Sequence, residues 1–362
     1  MKVARSPVAL RDMYELLNTK HQHIESLDVA PDGLVALATS SLTGEVWDGR
    51  LVVLRCAADA ARAEVIASVE TEVGNAAVAW AGPGLVASGD DAGNVTVWRF
   101  GTGAAGAAAD EERLPVAVYS EHDQAVTCVA CAPGGARLAS GSADGTVRVW
   151  ACGAAAQAER CLQHKPAEPW LECGVAAAAW LSASLLSTCD EEGKVRLWDL
   201  RVPAAVRAVA REGCGSGCLA PLDDTSLASG TRAGDVAIHD LRSGSGGRAG
   251  QHITSRRVSL GRGAVRCLSA RPGGAPLAAA GHADGSSPFA RLSLPDVSPT
   301  CPRHCPSGSL SLVDLSTLAA RPVPAAHSDV VSGVGWLPPS DGAHASLLSG
   351  GWDKRLVATE VQ

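Results

Sequence analysis

Aromatic residues make up only 4% of this 362-residue chain: nine Trp, two Tyr and two Phe. Hydrophobic content is nevertheless 46%, so any core must be filled chiefly by Ala, Val and Leu, and each Trp is scarce enough to be argued about by position. Lys and Arg form no run, and the formal net charge is −7. That balance disfavours binding to a phosphate backbone, so no direct nucleic-acid ligand is expected, and basic protein segments become the more natural partners. No uninterrupted stretch approaches the ~18 apolar residues of a membrane-spanning helix, and no charged-then-apolar leader is present. A soluble, intracellular protein with no membrane partner is expected.

Twelve cysteines raise the question of disulfides or metal, yet most fall inside β-rich runs, where small apolar residues belong. Cys128 and Cys131 form the only C-x-x-C. Their odd spacing on a strand points them to opposite faces, which argues against chelation. Cys301, His304 and Cys305 cluster in a Pro-rich stretch, but no fourth ligand is evident for a tetrahedral site. No metal and no cofactor are expected.

What the chain does have is a repeat. Residues 137 to 150 read R-L-A-S-G-S-A-D-G-T-V-R-V-W, with looser copies along nearly the whole length. Aligning the copies on the apolar run that ends them puts Leu54, Trp98, Trp150, Trp198, His239, Val313 and Thr359 in register, at steps of 44, 52, 48, 41, 74 and 46 residues. Five of the six steps lie near the period of a four-stranded propeller blade. In the clearest copy, runs at Ala125 to Ala130, Arg137 to Gly141 and Thr146 to Trp150 alternate at period two, the signature of a strand meander. The turns carry Asp144-Gly145, Ala92-Gly93, Glu192-Gly193 or Ala233-Gly234, because a tight connection needs a residue that tolerates positive φ.

That copy also holds His122, Ser140, Asp144 and Trp150. An indole N–H, a hydroxyl, an imidazole and a carboxylate can pair in series and leave no buried polar group unsatisfied. His327, Ser349 and Asp353 repeat three of the four. A nucleophile does not come in serial copies, so the Ser/His/Asp set reads as a device that locks each repeat, and no catalytic residue is assigned. These four residue types form the structural relay of WD40 repeats, which this chain resembles from about residue 24 to its end. The resemblance implies an all-β, seven-bladed WD40 β-propeller over residues 24–362, with residues 1–23 as an N-terminal arm and closing strand. The last unit, Val330 to Trp336, Ala345 to Gly350 and Arg355 to Val361, is one strand short. Residues within Val8 to Leu17 are expected to supply the missing outer strand and remove an open edge, the alternative being a loose tail or a short helix around Met13 to Leu17.

The 74-residue step marks an irregular Ser- and Pro-rich insertion at 284–307, read as an exposed loop. Arg242 to Gly250 and Gly103 to Asp110 read as linkers by composition. The first unit departs differently. Ser40 to Leu54 spans 14 positions where Ser140 to Trp150 spans 10, so its turn is expected to be about four residues longer, and Trp47 sits in the extension. A Trp there serves either as an anchor for a partner or folds back over its own blade.

Beyond the general repeat, the chain resembles the methylosome WD-repeat subunits, non-catalytic partners of the protein arginine methyltransferase that makes symmetric dimethylarginine. The segments carrying this are S-S-L-T-G-E-V-W-D-G-R-L-V-V-L (Ser40 to Leu54), V-E-T-E-V-G-N-A-A-V-A-W (Val69 to Trp80), Y-S-E-H-D-Q-A-V (Tyr119 to Val126), A-H-S-D-V-V-S-G-V-G-W (Ala326 to Trp336) and G-W-D-K-R-L-V (Gly351 to Val357). The resemblance implies a hetero-oligomer in which Trp47 inserts into the N-terminal barrel domain of the methyltransferase, with Ser41, Leu42, Thr43 and Gly44 shaping the loop. It also implies presentation of basic substrates such as histones and Sm proteins, in cytoplasm and nucleus. Trp352 either shares that rim or packs across the closure seam. The fifth and sixth units are Gly/Ala-rich and match weakly, and nothing is carried over to them. Two other classes stay open: a different WD40 scaffold, such as a ubiquitin-ligase substrate receptor or chromatin reader, and an enzyme built on a propeller, for which no convergent carboxylates or metal ligands stand out.

Overall fold

Runs of four to eight apolar residues broken by Gly-containing turns fold as antiparallel meanders, since each hairpin joins neighbours with almost no loop to close. The computed structural model describes residues 8–12, 23–43, 46–56, 63–100, 115–152, 157–164, 173–202, 206–211, 215–242, 254–260, 263–272, 277–283, 308–323, 327–338 and 345–361. After β1 (Val8–Asp12), the first blade contains β2 (His23–Val29), β3 (Leu34–Thr43), β4 (Val46–Cys56) and β5 (Ala63–Thr71). The second contains β6 (Asn75–Gly82), β7 (Leu85–Asp90), β8 (Val95–Arg99) and β9 (Pro115–Tyr119); the third, β10 (Val126–Cys131), β11 (Arg137–Ser142), β12 (Thr146–Ala151) and β13 (Arg160–Gln163). The fourth has β14 (Val175–Ser182), β15 (Leu185–Asp190), β16 (Lys194–Asp199) and β17 (Val206–Arg211); the fifth, β18 (Ser216–Asp223), β19 (Ser226–Thr231), β20 (Asp235–Asp240) and β21 (Thr254–Ser259). The sixth has β22 (Ala264–Ala270), β23 (Leu277–Ala283), β24 (Leu310–Asp314) and β25 (Ala319–Val323).

Those six sheets each use four consecutive strands. A further four-stranded sheet is composite: β26 (Val331–Leu337), β27 (Ala345–Gly351) and β28 (Arg355–Val361) are joined by β1, which runs antiparallel to β28 with Val8 opposite Ala358. The first strands of successive sheets touch in sequence, and β26 touches β2, so the sheets stand around a common axis as an all-β propeller.

The core lies between blades rather than within one. Ala36, Leu51 and Val53 of the first blade pack against Val78 and Val86 of the second. Ile24, Leu37 and Leu54 pack against Leu348, Leu356 and Ala358 of the composite sheet. Both faces of a second strand are therefore covered, and β11, β15, β19 and β27 are buried almost throughout. Outer strands such as β9 and β25 are largely exposed.

Two devices, one of glycine and one of tryptophan, set the spacing. A Cβ built on Gly89, Gly141, Gly230 or Gly281 would collide with Val126, Val175, Val265 or Val331 of the following blade, and one on Gly350 would crowd Ile24. The S-G of the repeat phrase is thus a ledge for the next blade's first apolar residue, where any larger side chain would overpack. Across interblade gaps, Trp80, Trp180 and Trp336 each donate their indole N–H to a carbonyl of the preceding blade, Asp28, Ala130 and Ser269, at 3.2, 3.0 and 3.1 Å.

The seven register positions all lie on third strands. Leu54, Trp98, Trp150, Trp198, His239, Val313 and Thr359 face Val35, Val86, Leu138, Leu186, Leu227, Ala278 and Leu347. The insertion at 284–307, all of the Arg242 to Gly250 linker after Arg242, the linker at 103–110, and residues 13–17 lie outside the described residues. None of the described residues forms a helix long and apolar enough to cross a membrane.

Candidate protein-docking site

The first-blade hairpin departs from expectation in both length and kind. Val35 pairs with Leu54, 19 positions apart, where the equivalent Leu138 and Trp150 are 12 apart, so the extension is seven residues rather than four. Ser40 is therefore not the counterpart of Ser140, because the residue two beyond Val35 is Leu37. The added residues are no irregular loop. They continue the ladder through Thr39↔Arg50, Ser40↔Gly49, Ser41↔Asp48, Leu42↔Trp47 and Thr43↔Val46, and Arg50 also forms an ion pair with Glu70 on β5. Period-two spacing hid this, since S-S-L-T and V-W-D-G carry no strong β pattern. Of the five docking candidates, Trp47 and Ser41 are described fully, Leu42 and Thr43 by backbone alone, and Gly44 lies outside the described residues.

Trp47 is 46% accessible, the one exposed aromatic among the described residues. It neither stands free nor folds under its own sheet. Its indole reaches over the second blade, where its nitrogen and the Asp91 carboxylate crowd the same face of Gly74. Beneath it is Gly74, whose carbonyl accepts the Asp91 N–H at 3.1 Å, and any Cβ on Gly74 would strike the indole nitrogen. Burial raises the Asp91 carboxyl above its ordinary value, and the charges of Glu25 and Asp90 add to this against the opposing effect of the Trp47 indole.

Trp352 lies at the seam between the composite sheet and the first blade. Its Nε1 donates to Glu25 Oε2 at 3.1 Å, and Glu25 Oε1 accepts the Ser40 hydroxyl at 2.5 Å. Its carbonyl faces His23 Nδ1 at 2.7 Å, with the two rings 5.8 Å apart. Trp352 and Glu25 also border the axial channel, about 460 Å³ in volume, whose wall includes Glu191, Arg232 and Arg266. Arg232 and Glu191 are paired at 3.1 Å.

The relay residues of the third blade meet in series. Trp150 Nε1 donates to Ser140 Oγ at 2.9 Å, Ser140 lies 2.8 Å from His122 Nε2, and His122 Nδ1 lies 3.0 Å from Asp144 Oδ2. The chain is satisfied when Ser140 donates to Nε2 and the imidazole carries its proton on Nδ1. Burial alone would raise Asp144. Hydrogen bonds from His122, Thr146 and the Asp123 N–H outweigh it and hold the carboxyl well below its ordinary range. Ser140 is completely buried, and its hydroxyl is engaged by both Trp150 and His122. In the composite sheet His327 bridges Ser349 at 2.8 Å and Asp353 at 3.0 Å, with Thr359 where a Trp would stand.

The fourth blade holds a second full relay that the third-blade spacing does not mark. Trp198 donates to Thr188 Oγ1 at 2.8 Å, Thr188 is 2.6 Å from His164 Nε2, and His164 Nδ1 is 3.1 Å from Asp190, which also accepts from Arg196. The available signal is a hydroxyl ten residues before five of the seven register residues: Ser88, Ser140, Thr188, Ser229 and Ser349. The histidine hides it, standing 24 residues before Thr188 where His122 stands 18 before Ser140. In the fifth blade His239 replaces the Trp and lies 2.8 Å from both Ser229 and Ser255.

Cys128 and Cys131 pack into different interblade clusters, with the fourth-blade and second-blade contacts respectively, and burial pushes both thiols up, Cys128 to about 11. Among the described residues no three His, Cys, Asp or Glu side chains gather as a metal site. Cys301, His304 and Cys305 lie outside the described residues.

Residues 113–151 match the WD40 family, described as WD domain, G-beta repeat. The match runs from β9 through β12, so one sequence repeat takes its first strand from the second blade and the other three from the third. No curated protein matches the chain.

Proposed function

We propose that this WD40 propeller is a non-catalytic adaptor that binds and orients the symmetric-dimethylating protein arginine methyltransferase through Trp47. Propellers of this kind typically act as protein-interaction scaffolds, and the observation supporting the finer reading is an exposed indole on a regular hairpin, seven residues longer than its third-blade counterpart. Rigid aromatics at the centre of an interface are the residues whose loss costs most binding. In this reading the N-terminal barrel domain of the methyltransferase receives Trp47, Ser41 to Gly44 shape the hairpin tip, and the ring is a seven-bladed one clasped by β1. Glu25, Asp90 and Asp91 make the neighbouring rim acidic, which suits Arg-rich substrates such as histones and Sm proteins. A hetero-oligomer working in cytoplasm and nucleus follows from that partnership.

Co-purification with the recombinant methyltransferase tests this. Trp47→Ala should reduce recovery at least about 30-fold in affinity, the effect of removing an anchor worth roughly 2 kcal/mol or more. Undiminished recovery would refute the docking role. The channel mouth, with Trp352, Glu25 and Arg232 on its wall, supports a second reading as a ubiquitin-ligase substrate receptor or chromatin reader. There, Arg232→Glu rather than Trp47→Ala would abolish partner capture.

A further inference from the structure

The seat of Trp47 carries information about what receives it, on the premise that Trp47 docks as proposed above. A free indole can turn about two side-chain torsions, and a partner that binds it must halt that motion at a cost in affinity. Here the ring is already placed by elements of another blade. Gly74 offers bare backbone directly under the indole nitrogen, and the Asp91 carboxylate stands beside that nitrogen. Asp91 is itself fixed, its N–H bonded to the Gly74 carbonyl and its neighbour Asp90 accepting the N–H groups of Ala92 and Asn94 at 3.0 and 2.8 Å.

We infer that Gly74 and Asp91 pre-position the Trp47 indole for docking, and that the receiving surface is an apolar slot that grips the ring and offers no acceptor to Nε1. The polar edge of the indole faces the Asp91 carboxylate within this chain, so a partner acceptor would have to compete with it. An apolar slot gains the exposed part of the ring without that competition. Asp91 is thus a positioning residue, acting through Trp47 rather than on the partner.

The test has two arms on the full chain. In the first, the Trp47 indole N–H resonance is assigned by its loss in Trp47→Phe, then followed in Asp91→Ala and Asp91→Asn. Asp91→Ala should move the signal and speed its solvent exchange, while Asp91→Asn, which keeps an acceptor, should restore slow exchange. In the second, affinity for the recombinant methyltransferase is measured. Asp91→Ala should weaken it about three- to tenfold, the range expected for ordering one side chain, with Asp91→Asn close to wild type. Gly74→Ala should weaken it similarly by displacing the ring, with circular dichroism checking that the blade persists. If Trp47→Ala abolishes binding but Asp91→Ala and Gly74→Ala bind as wild type, the seat is refuted and docking survives. If Trp47→Ala binds normally, the docking role falls and the apolar slot with it. An unchanged indole signal in Asp91→Ala overturns the seat irrespective of any partner.

Discussion

Thr188 stands ten residues before Trp198 and takes its indole N–H at 2.8 Å, while the same hydroxyl lies 2.6 Å from His164. Ser140 serves Trp150 and His122 in the same way one blade earlier. One hydroxyl therefore ties the third strand of a blade to the connection that enters it.

Removing that hydroxyl strands two buried groups at once. Ser140→Ala and Thr188→Ala should each destabilise the protein by about 2–4 kcal/mol, since every unsatisfied buried partner costs roughly 1–3 kcal/mol. Ser88→Ala should cost less, about 1 kcal/mol, because its described partner is the half-buried Trp98 alone. Urea unfolding of the three variants checks the ranking, and equal losses would deny the relay its role.

The interblade ledge makes a steric prediction. Gly230→Ala places a Cβ within 2.6 Å of Val265 Cγ1 and 2.5 Å of Cys218 Sγ, and should cost on the order of 1–3 kcal/mol through overpacking. Pairing it with Val265→Ala should recover part of the loss, although Val265→Ala alone leaves a cavity. A thermal-unfolding double-mutant cycle reads the coupling. Additive losses would argue against contact across that gap.

His239 introduces a pH dependence. Burial first, then the nearby Arg257 charge, push its imidazole down to about 4. The neutral ring is what the fold accepts, so its contribution is fully present above the unfolded value of ~6.5 and is lost as pH falls from there toward 4. Protonation should remove up to about 3 kcal/mol across that window. His164, lowered chiefly by burial, acts in the same direction. His239→Gln keeps a donor and an acceptor without titrating. Urea midpoints at pH 7, 5 and 4 should fall more steeply for wild type than for this variant.

Much of the architecture was legible in the chain because its causes are local. Period-two apolar runs and glycines at tight turns need no distant partner to be read. Gly93, Gly145, Gly193 and Gly234 hold φ of +88°, +76°, +82° and +92°. Lys354, at φ +65° in the last turn, shows where a non-glycine occupies the same conformation. His122, Ser140, Asp144 and Trp150 fall within one repeat, so spacing alone groups them. His164 and Thr188 are separated by a longer connection, and spacing alone did not group them. The hairpin at Thr39 to Arg50 is longer than its sequence spacing implies, because a ladder's register depends on cross-strand pairing, which sequence distance does not report.

Strand class, turn positions and the scarcity of aromatics belong to the sequence by itself, since they follow from side-chain period, glycine conformation and composition. Where Trp47 rests on Gly74 and Asp91, where Trp352 meets Glu25 and His23, and which glycine carries which valine were decided only by the tertiary structure. Each of those contacts joins residues of different blades, and their meeting depends on how neighbouring sheets stack around the axis, a geometry that no single repeat contains.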